Sequence, residues 1–270
     1  MTANAFEAHA PRALPPAFPL PLPSTAEAPP ARGLRREACV LRCSLVTPHM
    51  RRITLGGPDV AAFLRHAATD QPGAWVKVFV PGGEGRAYTI RRVDRVAATL
   101  ELDFVLHGDS GHEGPASAWA ARVQPGESVG FAGPRDGGFA LPPDARWVML
   151  AGDATALPAI QAIAASLGPE IRLKTYVEVP TAADVQEIRS RAVLRTCWLT
   201  GDPSEPGLAL QQQLMHRPQP AGPGYIWLAG ESGVVRTLRA HFLNDQGLAR
   251  ERLSAKGYWK HGEADHRDRA

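Results

Sequence analysis

Arg86, Tyr88 and Thr89 stand together in the run Arg86-Ala87-Tyr88-Thr89. A guanidinium offers a rigid fork of donors that matches a pyrophosphate. A tyrosine ring two residues further on can lie against a flat isoalloxazine, and a threonine hydroxyl can hydrogen-bond a ring nitrogen. A flavin accepts hydride at N5, so groups at that edge bear on the redox step, and Tyr88 and Thr89 are the candidate catalytic pair. In an extended strand, alternation sends Arg86 and Tyr88 to one face and Thr89 to the other. A plain amphipathic strand is the competing reading of the same residues.

Two further segments have the form of phosphate and nucleotide sites. Gly114-Pro115-Ala116-Ser117 opens the helix-forming run PASAWAARV, where backbone N–H groups and the macrodipole favour a phosphate. His107 ends the strand-like run before it, either as a cofactor contact or as a hydrogen-bonded structural histidine. LAGDATALPAI reads as a buried strand, a Gly-containing turn and a helix beginning near Pro158. An open α/β sheet binds nucleotides at such a place, the carboxyl ends of its strands. The segment lacks G-x-G-x-x-G, so position alone supports a nucleotide, and a structural strand-to-helix turn stays open.

Positioning these residues takes two kinds of scaffold. From Leu34, ACVLRCSLVTP and MRRITLGG read as a strand pair turning at Thr47-Pro48; AWVKVFVPG, RAYTIRRVD, ATLELDFVLHG and ESVGFAGP follow as short strands. That rhythm is the pattern of an antiparallel barrel. After Pro142-Pro143 the rhythm becomes strand–helix alternation through RWVMLAG, IRLKTYVEV, TCWLTG, YIWLAG and LSAKGYW. Repeated β–α units imply a parallel, doubly wound sheet. Thr181 with Asp184 predicts a capping-box start to a helix reaching about Arg191. Ser232 as N-cap and Gly247 bracket the last helix, with Val234, Leu238 and Phe242 as its core stripe. The expected organisation is an extension over 1–33, a barrel domain over 34–143 and an α/β domain over 144–270.

At 270 residues the chain suits two ordinary domains. Its 44% hydrophobic and 21% charged residues are globular in character. Residues 1–33 hold 8 prolines and 9 alanines, the composition of a flexible or polyproline-like extension. A net charge of +3 without a basic run argues against nucleic acid but suits an anionic substrate if the charges share a cleft. Cys39, Cys43 and Cys197 have neither disulfide-framework nor metal-site spacing; they read as packing residues of a reduced interior, and no protein metal site is expected. No apolar run reaches membrane-helix length and no signal-peptide pattern opens the chain, so membrane insertion is not expected and the cytoplasm is.

Taken together, VKVFVPGGEGRAYTIRR, DFVLHGD, GPASAWA, VGFAGPR, LAGDATALPAI, YVEVPTAAD, WLAGESGVVRTLR and GYWKHG resemble the siderophore-interacting protein family. These are FAD-binding ferric-siderophore reductases within the ferredoxin-reductase-like superfamily. The resemblance spans Leu34 to Gly262 and implies a six-stranded antiparallel β-barrel holding FAD, then a doubly wound NAD(P)-binding domain. It implies that Arg86, Tyr88 and Thr89 hold the flavin, and that His107 with Gly114, Pro115, Ala116 and Ser117 holds the FAD phosphates and adenosine side. Asp153, Thr155 and Ala156 would line the junction with the nicotinamide nucleotide. Lys77, Arg135 and Lys260 would surround an open substrate cleft, with solvated surface charge as the alternative for each.

The implied reaction passes electrons from NAD(P)H, on family grounds NADPH rather than NADH, through FAD to a siderophore-bound Fe(III). Reduction weakens the oxygen-donor complex and frees Fe(II), so the protein needs no iron ligands. Alternatives are a general NAD(P)H:flavin or electron-transfer reductase, a non-redox siderophore-binding protein, or a reduced ferredoxin as donor. A 2′-phosphate ligand is expected between Glu178 and Arg191. Two departures from the family pattern stand out: the longer 109–113 loop, and Ala154 where an acidic residue is usual.

Overall fold

Along β3 (Trp75–Phe79), Val76 and Val78 are buried whereas Trp75, Lys77 and Phe79 are only partly so. A strand of this kind must cover one face with other strands. The computed structural model describes residues 34–106 and 114–263, so the expectations for residues 1–33, His107 and the 109–113 loop lie outside the described residues. The cover comes from β1 (Arg36–Thr47), β2 (Met50–Gly56), β4 (Arg86–Asp94), β5 (Thr99–Val105) and β6 (Ser128–Arg135). They close a barrel in the order β1-β2-β5-β4-β3-β6, antiparallel throughout. Closure leaves no unpaired strand edge. Ile53, Leu55, Leu100, Leu102 and Phe131 fill the core.

Two helices complete the barrel. α1 (Pro58–Phe63) directs Val60 and Phe63 into the core; at six residues it is too short for the sequence pattern to reveal. α2 (Pro115–Arg122) packs Trp119 and Ala120 against the same core, behind its N1 proline as expected.

The second half is a five-stranded sheet in which every pair is parallel. Its strands are β7 (Trp147–Asp153), β8 (Arg172–Val179), β9 (Val193–Thr200), β10 (Gly224–Glu231) and β11 (Leu253–Trp259), in the order β11-β10-β7-β8-β9. The chain starts in the middle, runs outward through β8 and β9, and then returns to build β10 and β11 on the other side. The strand order therefore reverses between β7 and β10. α3 (Leu157–Ser166) covers one face over Val148 and Leu150. α4 (Leu208–Met215) and α5 (Ser232–Ala240) cover the other, over Trp147, Met149 and Ala151. Burial on both faces explains the continuous apolar run of β7.

Two local expectations need correction. The segment after Thr181 makes a single 3₁₀ turn over Ala182–Asp184 and then leaves helical geometry at Val185 instead of continuing to Arg191. The Thr181 amide and hydroxyl do donate to the Asp184 carboxylate. That carboxylate also accepts from the His49 amide at 3.0 Å and faces the His49 ring at 2.8 Å, which draws the segment onto the β1–β2 turn. In α5 the N-cap is Glu231, whose side chain accepts from the Val234 amide at 2.8 Å, while Ser232 is the first helical residue. A strand-end carboxylate competes well with a serine for that place because its oxygens accept from the free N–H groups at the positive end of the helix.

Candidate functional site

Cross-strand register settles the faces of β4. Arg86 lies opposite Val78 and Tyr88 opposite Val76, whereas Thr89 lies opposite Trp75. Directly opposed residues share a face, so Arg86 and Tyr88 turn one way and Thr89 the other, as alternation predicts. The Tyr88 ring sits 4.0 Å from that of Phe104 at a 33° tilt, and Phe104 meets Trp119 at 5.5 Å. Burial pushes the Tyr88 hydroxyl well above the usual phenol range, against the opposing pull of Arg86. The phenol is thus neutral at physiological pH.

This aromatic row leads to the start of α2. Gly114 supplies no side-chain cap there, Pro115 occupies the first turn, and that turn holds no acidic residue. Gly83, in the β3–β4 loop, approaches so closely that an added Cβ would stand 3.5 Å from the Pro115 Cβ. The start of α2 and the strand bearing Arg86 are therefore neighbours through this loop. Ala116 and Ser117 place their backbone amides in the first turn. The buried Trp119 indole N–H has no hydrogen-bond partner among the described residues.

The second cluster gathers where the strand order reverses. An added Cβ on Gly152 would overlap the Ala229 carbonyl and the Ala156 side chain, so glycine permits this tight turn. Asp153 accepts four hydrogen bonds. Its Oδ1 takes the Thr155 amide at 2.8 Å and hydroxyl at 2.5 Å; its Oδ2 takes the Glu231 amide at 3.0 Å and the Trp259 indole at 2.8 Å. Desolvation raises its pKa, and these donors lower it without cancelling the rise. Ala156 is buried at the head of α3, and Ala154 is buried beside Asp153. Glu178, at the end of β8, accepts the Gly207 and Leu210 amides at 2.6 and 2.9 Å and so caps α4. Burial raises its pKa as well.

The last strand joins the two clusters. The Tyr258 hydroxyl comes near the Thr89 side chain, Trp259 donates to Asp153, and the His261 amide donates to Glu231 at 3.3 Å. Tyr258, Trp259 and Glu231 lie within the family-like motifs, but the sequence assigns them no role because their partners are remote in the chain. The basic residues divide. Lys77 is partly buried on β3, and Arg135 is exposed on β6 opposite Trp75. Lys260 lies just past β11, where it pairs with Glu263. In the expected 2′-phosphate segment, Asp184 is engaged by His49 and Glu187 pairs with Arg189 at 2.7 Å, while Arg191 is exposed.

Comparison with known proteins bears on what this arrangement serves. The profile described as siderophore-interacting protein matches residues 145–262, and that described as siderophore-interacting FAD-binding domain matches residues 39–87 and 82–138. The chain belongs to the siderophore-interacting protein family. Ferric vibriobactin reductase ViuB of Vibrio cholerae is 31% identical over 256 residues, covering 85% of this chain and 92% of its own. The crystal structure of the siderophore-interacting protein SipS from Aeromonas hydrophila superposes with a TM-score of 0.74 at 32% identity, over 86% of this chain and 93% of that one. A siderophore utilization protein from T. fusca gives 0.75 at 30% identity, over 87% and 95%. A ferredoxin NADP+ reductase from Neisseria gonorrhoeae shares the fold at 0.58 and 18% identity, over 83% of this chain and 99% of that one.

As a family member the chain is a flavoprotein oxidoreductase whose barrel is the FAD-binding domain. The residues present fit that group. A guanidinium and a helix start opened by glycine and proline suit a diphosphate, and the tilted aromatic row suits a flat heterocycle. Among the described residues no helix is long and apolar enough to cross a membrane.

Proposed function

We propose that the protein is a ferric-siderophore reductase drawing its electrons from NAD(P)H. One NAD(P)H gives up a hydride, and two ferric chelates each gain one electron, leaving NAD(P)+, a proton and two Fe(II). Bound FAD supplies the ability to take two electrons together and release them singly. The observation that carries this reading is that the loop leading into the strand of Arg86 and Tyr88 meets, at Gly83, the Gly114-Pro115 start of α2, in a barrel belonging to a FAD-binding family. The 31% identity to a ferric vibriobactin reductase supports the choice of acceptor.

In this reading Arg86 and the first-turn amides of Ala116 and Ser117 hold the diphosphate, and Gly114 and Pro115 shape that turn. Tyr88 lies along the ring system. Thr89 would meet its edge, with the Tyr258 hydroxyl nearby. Thr155 and Ala156 line the nicotinamide junction, and Asp153 shapes it. A carboxylate has about four acceptor sites, and protein donors fill those of Asp153. Lys77, Arg135 and Lys260 attract the anionic chelate.

The test is the visible spectrum of the purified protein without oxygen, before and after NADPH or NADH, followed by a ferric-siderophore titration. The expected sequence is a flavin spectrum that bleaches with the nucleotide and returns with the chelate. Bleaching without return would reject the acceptor; flavin that neither nucleotide bleaches would reject the donor. The ratio of the two bleaching rates gives the preference, for which NADPH is the family expectation.

A further inference from the structure

β9 ends the sheet order, so one of its edges pairs with β8 and, among the described residues, no strand takes the other. Its eight residues run beside β8 without a register shift and include neither proline nor lysine. Edge strands are ordinarily blunted by such residues, by bulges or by a covering element. The opposite edge is covered: β11 carries a register shift against β10 and lies against the barrel, where Tyr258 comes near Thr89. The Val193 and Gly201 amides donate to the Ile171 and Val179 carbonyls, at the two ends of β8, at 2.9 and 3.3 Å. Every second residue of β9 faces β8 in this way, so the peptide groups of Leu194, Thr196, Trp198 and Thr200 face outward. Val193 is 62% exposed, and Arg195 and Thr196 are exposed as well.

We infer that this edge is an interface between two copies of the chain, paired β9 to β9 antiparallel about a two-fold axis through Thr196. Two five-stranded sheets thereby become one of ten strands. The inference goes beyond the reductase reading and does not depend on it. Self-complementarity selects the occupant and the register. A two-fold axis normal to the sheet keeps each face on its own side, so opposed residues share a face. Leu194 and Trp198 pack on the α3 face and Leu199 on the α4 face, to which alternation also sends Val193. Centring on Thr196 sets Leu194 opposite Trp198 of the partner subunit, and Val193 opposite Leu199 of the partner subunit. It also makes the residues with outward peptide groups the hydrogen-bonded pairs of the new ladder. Centring on Arg195 would oppose two guanidiniums, and centring on Cys197 would leave Val193 unpaired. Charge agrees with this arrangement at both ends. Arg189 and Arg191 precede the strand, Asp202 and Glu205 follow it, and all four are exposed. Antiparallel pairing brings each basic end beside the acidic end of the other copy, whereas parallel pairing would set like against like. Arg189 is already held by Glu187, so the test reverses Arg191.

The experiment is sedimentation velocity on the full chain with FAD bound, across a micromolar concentration series. A strand pair with charged ends lies among the smaller stable interfaces, so a dimer with Kd on the order of 10 µM is expected. Val193→Lys places an ammonium in an apolar cross-strand pair and should raise Kd about ten-fold. Arg191→Glu should raise it roughly five-fold, and adding Asp202→Arg should restore it by exchanging the two signs. Thr196→Cys tests the register. Opposed Cα atoms of a hydrogen-bonded pair lie about 5.5 Å apart, within disulfide reach, so a mild oxidant should join two such chains at position 196. The wild-type chain should not be joined through Cys197, which lies off the axis. Unchanged flavin absorbance shows that each variant is folded, and none of these readouts requires turnover. A wild-type chain that stays monomeric throughout the series, a dimer indifferent to both Val193→Lys and Arg191→Glu, or cross-linking through Cys197 would overturn the inference.

Discussion

At the scale of single residues, charge and geometry single out Arg86. Arg86 begins the strand that carries Tyr88, and the loop before it touches, at Gly83, the Gly114-Pro115 start of α2. A charge-assisted hydrogen bond contributes about 1.5–3 kcal/mol. Arg86→Ala should therefore weaken FAD binding roughly 10- to 100-fold, measured by flavin fluorescence during reconstitution of the apoprotein. Lys77 offers a contrasting case, a charge proposed to attract substrate without holding cofactor. Lys77→Ala should raise KM for ferric dicitrate several-fold, and the effect should shrink as salt is added. An unchanged KM would remove Lys77 from the cleft. Thr89 and Tyr88 were separable from sequence because alternation is strictly local, and the register bears that out. The approach of Tyr258 to Thr89 was not legible, since nothing near Thr89 in the chain announces it.

Between elements, carboxylates act as joints. Arg52 on β2 grips Asp103 on β5 through two bonds of 2.7 Å, and the Asp103 side chain is fully buried. Removing the cation strands a buried charge, so Arg52→Ala should cost about 3–5 kcal/mol, read from the urea midpoint. The joint at Asp184 is sensitive to pH. Burial pushes this carboxyl up, but the Thr181 hydroxyl, the His49 ring and the His49 amide outweigh it and hold the pKa below the ordinary carboxylate value. A depressed folded-state pKa stabilises the fold above the unfolded-state pKa, and that stability is lost as pH falls through the folded-state value. Asp184→Asn should therefore lower stability at pH 7 and flatten the acid limb of the stability profile, while differing less from wild type at the lowest pH. A profile parallel to wild type down to pH 3 would deny the joint its role.

Across the whole molecule, the barrel and the sheet are tied at several separate points. Arg91 of β4 donates to Gln161 of α3 at 2.7 Å, and His49 meets Asp184. Tyr258 and Lys256 reach from β11 to Thr89 and Trp75. With ties this dispersed, the two halves should unfold together. Calorimetry should show one transition that moves upward with added FAD, the stabilisation reaching about 2.7 kcal/mol at 100-fold excess over Kd. Two transitions, with only one responding to FAD, would mean that the halves melt independently.

Sequence alone determined the two architectures and their order, because a period of two or of 3.6 is written in neighbouring residues. It also separated Arg86 and Tyr88 from Thr89, and it located the turn at Asp153 by its place after a buried strand. Only the tertiary structure decided what those residues touch. Asp153 meets Trp259, which lies 106 positions away in sequence, because reversal of strand order brings the ends of β7, β10 and β11 together. Trp75 meets Lys256 for a related reason, the last strand lying against the barrel. The capping signal at Thr181 was real and the helix it announced was not, since the bonds from His49 supplied a competing use for the same carboxylate. Local pattern specifies the element, and contacts distant in sequence specify the site.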